Sequence, residues 1–471
     1  GPLQRPVSTD RTTPDGRPNA GASPRAPTLE RGSQKLAFDV PDAWDCFPLD
    51  RLVEASRGIS YGIVQPGQHD ASGVPIVRVN NVRNGRIDSA DMLCVSSAIE
   101  SNYERTRLRG GEVVLSLVGT LGECAVVPPE MRGWNVARAI GVIPVKTDID
   151  PRWVAYCLRS DAVQELMKAW ATTTVQATLN LRDVRRLPIV LAPERVRATI
   201  IEIIGGLDDK IEQNRRTAQA LERLARAIFR AWFVDFEPVK AKAAGATSFP
   251  SIPHPVFAAL PARLIDSEIS PVPEGWSLKP IAAIATFLNG LALQKYPPRG
   301  DGEDLPVIKI AELRKGSTEG ADWANGDVPE QYVINDRDLI FSWSGTLEVE
   351  LWFGGKGALN QHLFKVTSSH YPSWFCLLWI REHLSWFRAV AASKATTMGH
   401  IKRGHLQEAR VVVPSLDILH AADRAIGPLY EQYAQVMVES RTLARLRDYL
   451  LPKLLSGEVR VQAIGESHGR S

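Results

Sequence analysis

The chain, 471 residues long, states nearly the same sequence twice, and the second copy starts about halfway along. Pro41-Asp42-Ala43-Trp44 returns as Pro273-Glu274-Gly275-Trp276. Val74-Pro75-Ile76-Val77-Arg78-Val79 returns as Leu305-Pro306-Val307-Ile308-Lys309-Ile310. Glu112-Val113-Val114-Leu115-Ser116, followed by Gly119-Thr120-Leu121, returns as Asp338-Leu339-Ile340-Phe341-Ser342, followed by Gly345-Thr346-Leu347. Leu207, Leu221, Leu224 and Ile228 match Leu429, Leu443, Leu446 and Leu450 at one constant offset. Two copies of so long a unit predict two equivalent folded modules with pseudo-two-fold organisation. A chain built this way reads two similar objects, or holds two copies of one partner.

The pattern inside each copy is α+β. Residues 41–193 alternate short β-rich runs (Ile76–Val82, Val113–Val118, Ala125–Val127, Ile140–Val145) with Gly, Pro and Asn punctuation. Asn84-Gly85 between two such runs signals a hairpin turn. A three-to-four spacing of apolar residues predicts a helix from Pro151 to Ala171, and Leu187–Leu191 closes the module as a buried strand. Residues 273–414 repeat the plan, with a helix from Ser373 to Ala392. Between the modules, residues 237–272 are rich in proline and read as a linker along the surface. Residues 1–40, dominated by Pro, Gly, Ser, Thr and Arg, read as a disordered tail. The start without Met reads as processed. Residues 458–471 read as a C-terminal tail.

Residues 194–236 and 415–457 predict two long helices. The first carries a seam of Leu207, Ile211, Asn214, Ala218, Leu221, Ala225, Ile228 and Trp232 in alternating steps of four and three. The second carries Leu429, Tyr433, Val436, Leu443 and Leu450, with Leu446 or Arg447 between the last two. Charged flanks beside a heptad seam suit a two-helix contact, and a helix of about 35 residues reaches roughly 50 Å. The module between them returns the chain, so antiparallel pairing is expected. The alternative is that each helix packs only on its own module.

No catalytic signature is present. His-Glu-x-x-His, a phosphate-binding glycine loop, a nucleophile elbow and metal-ligand spacing are all lacking. Five dispersed cysteines without a Cys-x-x-Cys pair fit reduced thiols in a cytoplasmic protein. Apolar runs are far too short for a membrane span. The same segments read well as a nucleic-acid surface. In the first copy the candidates are Arg78, Asn80, Asn81 and Arg83, side-chain types that pair with purine edges. To these are added Arg105 and Arg107, which an extended strand would set on one side together with Arg109. Lys309 takes the Arg78 position in the second copy, which adds Lys394, Thr397, His400, Lys402 and Arg403. The matched turns at Ser116 and Thr120, and at Ser342 and Thr346, would bring backbone N–H groups to phosphates. A net charge of only +3 confines any such binding to local patches, or shares it with a partner.

The ordered set of motifs resembles the specificity subunit of type I restriction–modification systems. It is carried by the two Pro-x-x-Trp openings, the Ser-x-x-Gly-Thr turns, Leu207-Asp208-Asp209-Lys210-Ile211-Glu212-Gln213-Asn214-Arg215, the run from Leu221 to Phe236, and Leu451 to Val459. The resemblance implies two target recognition domains, each reading half of a split site in double-stranded DNA, joined by antiparallel coiled-coil helices that set the gap. It implies no cofactor on this chain: S-adenosylmethionine, ATP and magnesium would belong to partners, namely two modification (methyltransferase) subunits and restriction/translocase subunits. The second copy departs from the pattern. It carries Tyr430-Glu431-Gln432-Tyr433 in its helix, and Lys402-Arg403-Gly404-His405 has no counterpart visible in the first copy. Two other classes stay open at this stage: a self-contained restriction or methyltransferase enzyme, and a coiled-coil scaffold whose modules bind protein.

Overall fold

A computed structural model describes residues 41–461 apart from 42, 174–176, 251 and 394–398. The expected N-terminal tail and residues 462–471 lie outside the described residues. The chain divides into two compact units, one made of residues up to Thr199 with those from Pro452 on, the other of Ile200–Leu451.

In the first unit, the strands Asp45–Pro48 and Pro188–Leu191 pair antiparallel and close the module. A four-stranded antiparallel sheet is ordered Ser60–Tyr61, Ile140–Ile143, Val113–Ser116, Cys124–Val126. Every residue of its two inner strands is buried, which is why their sequences are continuous apolar runs rather than alternating ones. In a second sheet Val74–Val77 lies between Leu93–Val95, antiparallel, and Asn135–Val136, parallel. The Asn84-Gly85 turn joins the paired strands Val82–Arg83 and Arg86–Ile87, with φ of 53° and 80° at its two residues. The helix expected over 151–171 is two helices, Pro151–Arg159 and Asp161–Trp170, because Ser160 between them is extended (φ −64°, ψ 144°).

The second unit repeats this plan, with one strand more in the small sheet. Ser277–Pro280 pairs with Arg410–Val413. The four-stranded sheet is ordered Thr286–Asn289, Leu363–Thr367, Leu339–Ser342, Val349–Leu351. Leu305–Ile308 runs parallel to Gly357–Leu359 and pairs antiparallel with Trp323–Ala324 on its other edge, while Val333–Ile334 pairs with the far edge of Gly357–Leu359. The fold is therefore α+β with two pseudo-symmetric sheet-rich modules.

The two long helices are Glu194–Phe229 and Leu416–Leu455. Within Ile200–Leu451 they pair antiparallel. Asp208 meets Arg447 at 2.8 Å, and Asn214 Nδ2 donates to Glu439 Oε2 at 2.8 Å, so numbers rise along one helix as they fall along the other. Asn214, Ala218 and Ala225 are buried in the seam, and Arg447 rather than Leu446 is the buried member of the second helix. Leu207, Ile211, Leu221 and Ile228 are partly buried, as are Leu429, Tyr433, Val436, Leu443 and Leu450. The Asn214–Glu439 bond, with Asn214 buried and Glu439 half-exposed, fixes register at some cost in stability. The first long helix continues through a π-helical turn, Arg230–Val234. It stops at Phe236, whose φ of 52° is held by an edge-to-face contact with Trp276 at 5.9 Å. Phe229 and Phe233 pack here on Phe375 of the second module, so this helix does not pack on its own module alone.

The stretch expected as a surface linker is folded. It forms helices Glu237–Ala243 and His254–Ala259 and a hairpin of Leu264–Ile265 with Val272–Pro273. Val239, Phe257 and Val272 are buried in the same core as Trp276. Proline stiffens this stretch, but its spaced apolar side chains decide where it goes.

Candidate nucleic-acid interface

The two modules carry the same small frame, built almost wholly from backbone. In the first, the parallel strand Asn135–Val136 is followed by Ala137-Arg138-Ala139, which leads into Ile140–Ile143. In the second, Gly357–Leu359 is followed by Asn360-Gln361-His362, leading into Leu363–Thr367. Ala137 N donates to Val77 O (2.9 Å) and Asn360 N to Ile308 O (3.1 Å). Ile140 N donates to Ala137 O (2.9 Å), and Leu363 N to Asn360 O (3.0 Å). Leu117 N donates to Ala139 O (2.8 Å), and Trp343 N to His362 O (3.3 Å). Ile63 N donates to Val136 O (2.8 Å), and Leu291 N to Leu359 O (3.0 Å). The preceding residues, Gly62 and Gly290, must be glycine: a Cβ would fall 2.1 Å from Val136 O and 2.2 Å from Asn360 O.

The Ser-x-x-Gly-Thr turns complete the frame. Ser116 and Ser342 are fully buried, and their hydroxyls donate to the carbonyls of Thr120 and Thr346. These serines shape the turn, while Thr120 and Thr346 stand exposed on it. Gly119 N donates to Ala177 O (3.2 Å) and Gly345 N to Gly399 O (2.9 Å). The bridge of Val118 with Thr178 matches that of Ser344 with His400. His400 is thereby brought beside the second turn, its ring 6.3 Å from that of Trp343. Lys394 and Thr397 lie outside the described residues. Lys402 and Arg403 are exposed at the start of the helix Arg403–Glu408. That helix does have a counterpart, Leu181–Arg186: Asn180 Oδ1 accepts from Asp183 N at the start of the first (3.0 Å), and His405 Nδ1 accepts from Lys402 N at the start of the second (3.0 Å). The missing match of Lys402-Arg403-Gly404-His405 is thus corrected: the backbone is shared although no residue type is.

Each frame borders an open cleft. The first, of about 450 Å³, is lined by Arg78, Val79, Asn80, Val82, Arg83, Val118, Gly119, Thr120 and Ala139. The second, of about 270 Å³, is lined by Gln294, Lys309, Ile310, Ala311, Asn360, Gln361 and His362. Arg78 is paired with Asp91 at 3.2 Å, and its counterpart Lys309 is paired with Asp322. Arg83 and Asn80 are exposed. Asn81 is not a surface reader. It is buried, its Oδ1 accepts from Arg78 N (2.9 Å), and its Nδ2 donates to Asp88 O and Asp91 O (3.1 Å each).

Arg105 and Arg107 do not form the expected extended row. Residues Ser101–Thr106 are a 3-10 turn. Arg105 Nε donates to Arg57 O at 2.6 Å, and Arg107 grips Glu100 with two bonds of 2.8 and 2.6 Å. Those bonds hold the Glu100 carboxyl below its ordinary pKa. Sequence reasoning also missed His362 and Gln361. His362 Nδ1 lies 2.9 Å from Ser344 Oγ, and Gln361 Nε2 lies 3.5 Å from His362 Nε2. Only their place just after the second parallel strand could have marked them.

Among the described residues no group of His, Cys, Asp and Glu could hold a metal ion. No described helix is long and apolar enough to cross a membrane. Burial pushes the Cys46 thiol up to about 11 and those of Cys124 and Cys376 to about 12, so they stay protonated near neutral pH.

No family model matches the chain. Over 387 residues it is 23% identical to the type I restriction enzyme HindI specificity subunit of Haemophilus influenzae, spanning 72% of this chain and 84% of that protein. It is 23% identical over 335 residues to the MjaIX specificity subunit of Methanocaldococcus jannaschii, spanning 69% and 72%. The fold is shared with the crystal structure of a type I restriction–modification system S subunit from M. genitalium, with a TM-score of 0.50 at 13% identity over 89% of this chain and 98% of that one. The resemblance carried by the motifs is borne out: the chain is similar, over most of its length, to specificity subunits of type I restriction enzymes.

Proposed function

We propose that this chain is the non-catalytic DNA-recognition subunit of a type I restriction–modification complex, reading a bipartite site with one half-site per module. One observation carries the reading: the same hydrogen-bonded backbone frame occurs in both modules with different side chains on it. Equivalent frames with unlike side chains are what two readers of two different sequences require, since base identity is read by side chains in the major groove. The paired long helices, at about 1.5 Å per residue, act as the spacer that sets the unread gap.

Partner docking is part of the proposal. Leu224 and Leu446, at one offset on the two helices, are 50% and 44% exposed, and each would anchor one of two modification subunits. Methyl transfer, S-adenosylmethionine, ATP, magnesium and cleavage then belong to the partners, and restriction/translocase subunits join the same assembly. The test is selection of bound duplexes from a random library by this chain together with its modification subunits. A split motif with a constant gap is expected. Enrichment of no motif, or methyl transfer by the purified chain alone, overturns the reading.

A further inference from the structure

The matched cleft positions differ in one systematic way. The wall that follows the central strand of the small sheet carries exposed Asn80 in the first module and exposed Ala311 in the second. The return turn carries Ala139 in the first and His362 in the second. At these two positions each cleft sets a polar side chain against a methyl group, and the walls that supply them are exchanged. A methyl on one wall leaves room for a base edge to meet the polar group on the other.

We propose that Asn80 and His362 are the specificity-determining side chains of the two modules, each selecting a purine in the major groove. The inference rests on the reading of the modules as DNA half-site readers. Among the described residues the Asn80 side-chain amide makes no hydrogen bond, whereas neighbouring Asn81 spends its amide on the turn. An unspent asparagine amide matches the N6/N7 edge of adenine as a bidentate pair. His362 is oriented rather than loose: Ser344 Oγ holds Nδ1 at 2.9 Å, and the Trp343 ring lies 5.9 Å from the imidazole. The Gln361 amide nitrogen, 3.5 Å from Nε2, can only donate, so Nε2 is the accepting nitrogen, Nδ1–H donates to Ser344 Oγ, and Nε2 matches the N6 amine of adenine. Arg78 and Lys309 are already held by Asp91 and Asp322, unlike the Asn80 amide.

The experiment uses the full chain with its modification subunits and sequences the duplexes selected from a random library. Asn80→Ala is expected to relax one base pair of one half-site by about 5- to 150-fold, leaving the other half-site unchanged. His362→Ala is expected to do the same in the other half-site only. The exchange Asn80→Ala with Ala139→His changes the base preferred in the first half-site, and His362→Gln, which keeps an acceptor, retains a preference at its position. Wild-type selection of a split motif that both alanine variants keep, with affinity lowered evenly over all sequences, overturns this inference and leaves the recognition function standing. Wild-type selection of no motif removes both.

Discussion

Asn80 and Asn81 are neighbours of the same type with opposite tasks, and only the hydrogen bonds around them tell them apart. Asn81 satisfies a backbone N–H and two carbonyls from within a buried turn. Asn81→Ala leaves those groups unpaired and should lower stability by about 1–3 kcal/mol. Denaturant unfolding checks this, and an unchanged midpoint would contradict it. Arg78 and Arg83 line one cleft, so replacing both with alanine should weaken or relax one half-site while the other is selected as before. Effects on both half-sites in the motif selection would contradict that. Asn and Arg as residue types pointed at this cleft from sequence, and Lys at its counterpart. The serines did not reveal their burial, nor Arg107 its ion pair, because both depend on partners brought in by folding: Thr120 O for Ser116, and Glu100 for Arg107.

At the scale of elements, the long helices were legible because a heptad seam is a local pattern. The choice between Leu446 and Arg447 was not legible, since Arg447 is buried by its bond to Asp208, a residue 239 positions away. The return turns were invisible for a different reason. Ala137-Arg138-Ala139 and Asn360-Gln361-His362 share no residue, and what they share is backbone hydrogen bonding that any side chain permits. The folded stretch from 237 to 272 was misjudged by weighing prolines above Val239 and Phe257. Acid should loosen the first long helix. Hydrogen bonds from Arg215 and then Arg216 lower Glu212 from an ordinary 4.5 to about 2. A lowered carboxylate pKa stabilises the fold above the unfolded value, and this contribution is lost as pH falls from about 4.5 to about 2. Glu212→Gln should flatten that part of the acid limb in a pH series of unfolding curves. An unaltered limb would show that the pairs form equally in the unfolded chain.

At the scale of the whole molecule, duplication is the organising fact, and it was the most legible one. Chain order, strand order and turn motifs recur together, so the α+β modules follow from reading the repeat alone. A matched heptad inserted into both long helices lengthens the pair by about 10 Å, or about three base pairs at 3.4 Å each. The gap in the selected motif should grow by that amount while both half-sites stay the same. A changed half-site with an unchanged gap would show that the helices do not set the spacing.

The central claim is that one chain carries two differently equipped readers on one backbone design. Mapping methylated bases in DNA from cells that carry the complete system tests it most directly. The account predicts two unlike short sequences separated by a constant run of unread positions. A single continuous sequence, or two identical halves, would contradict it.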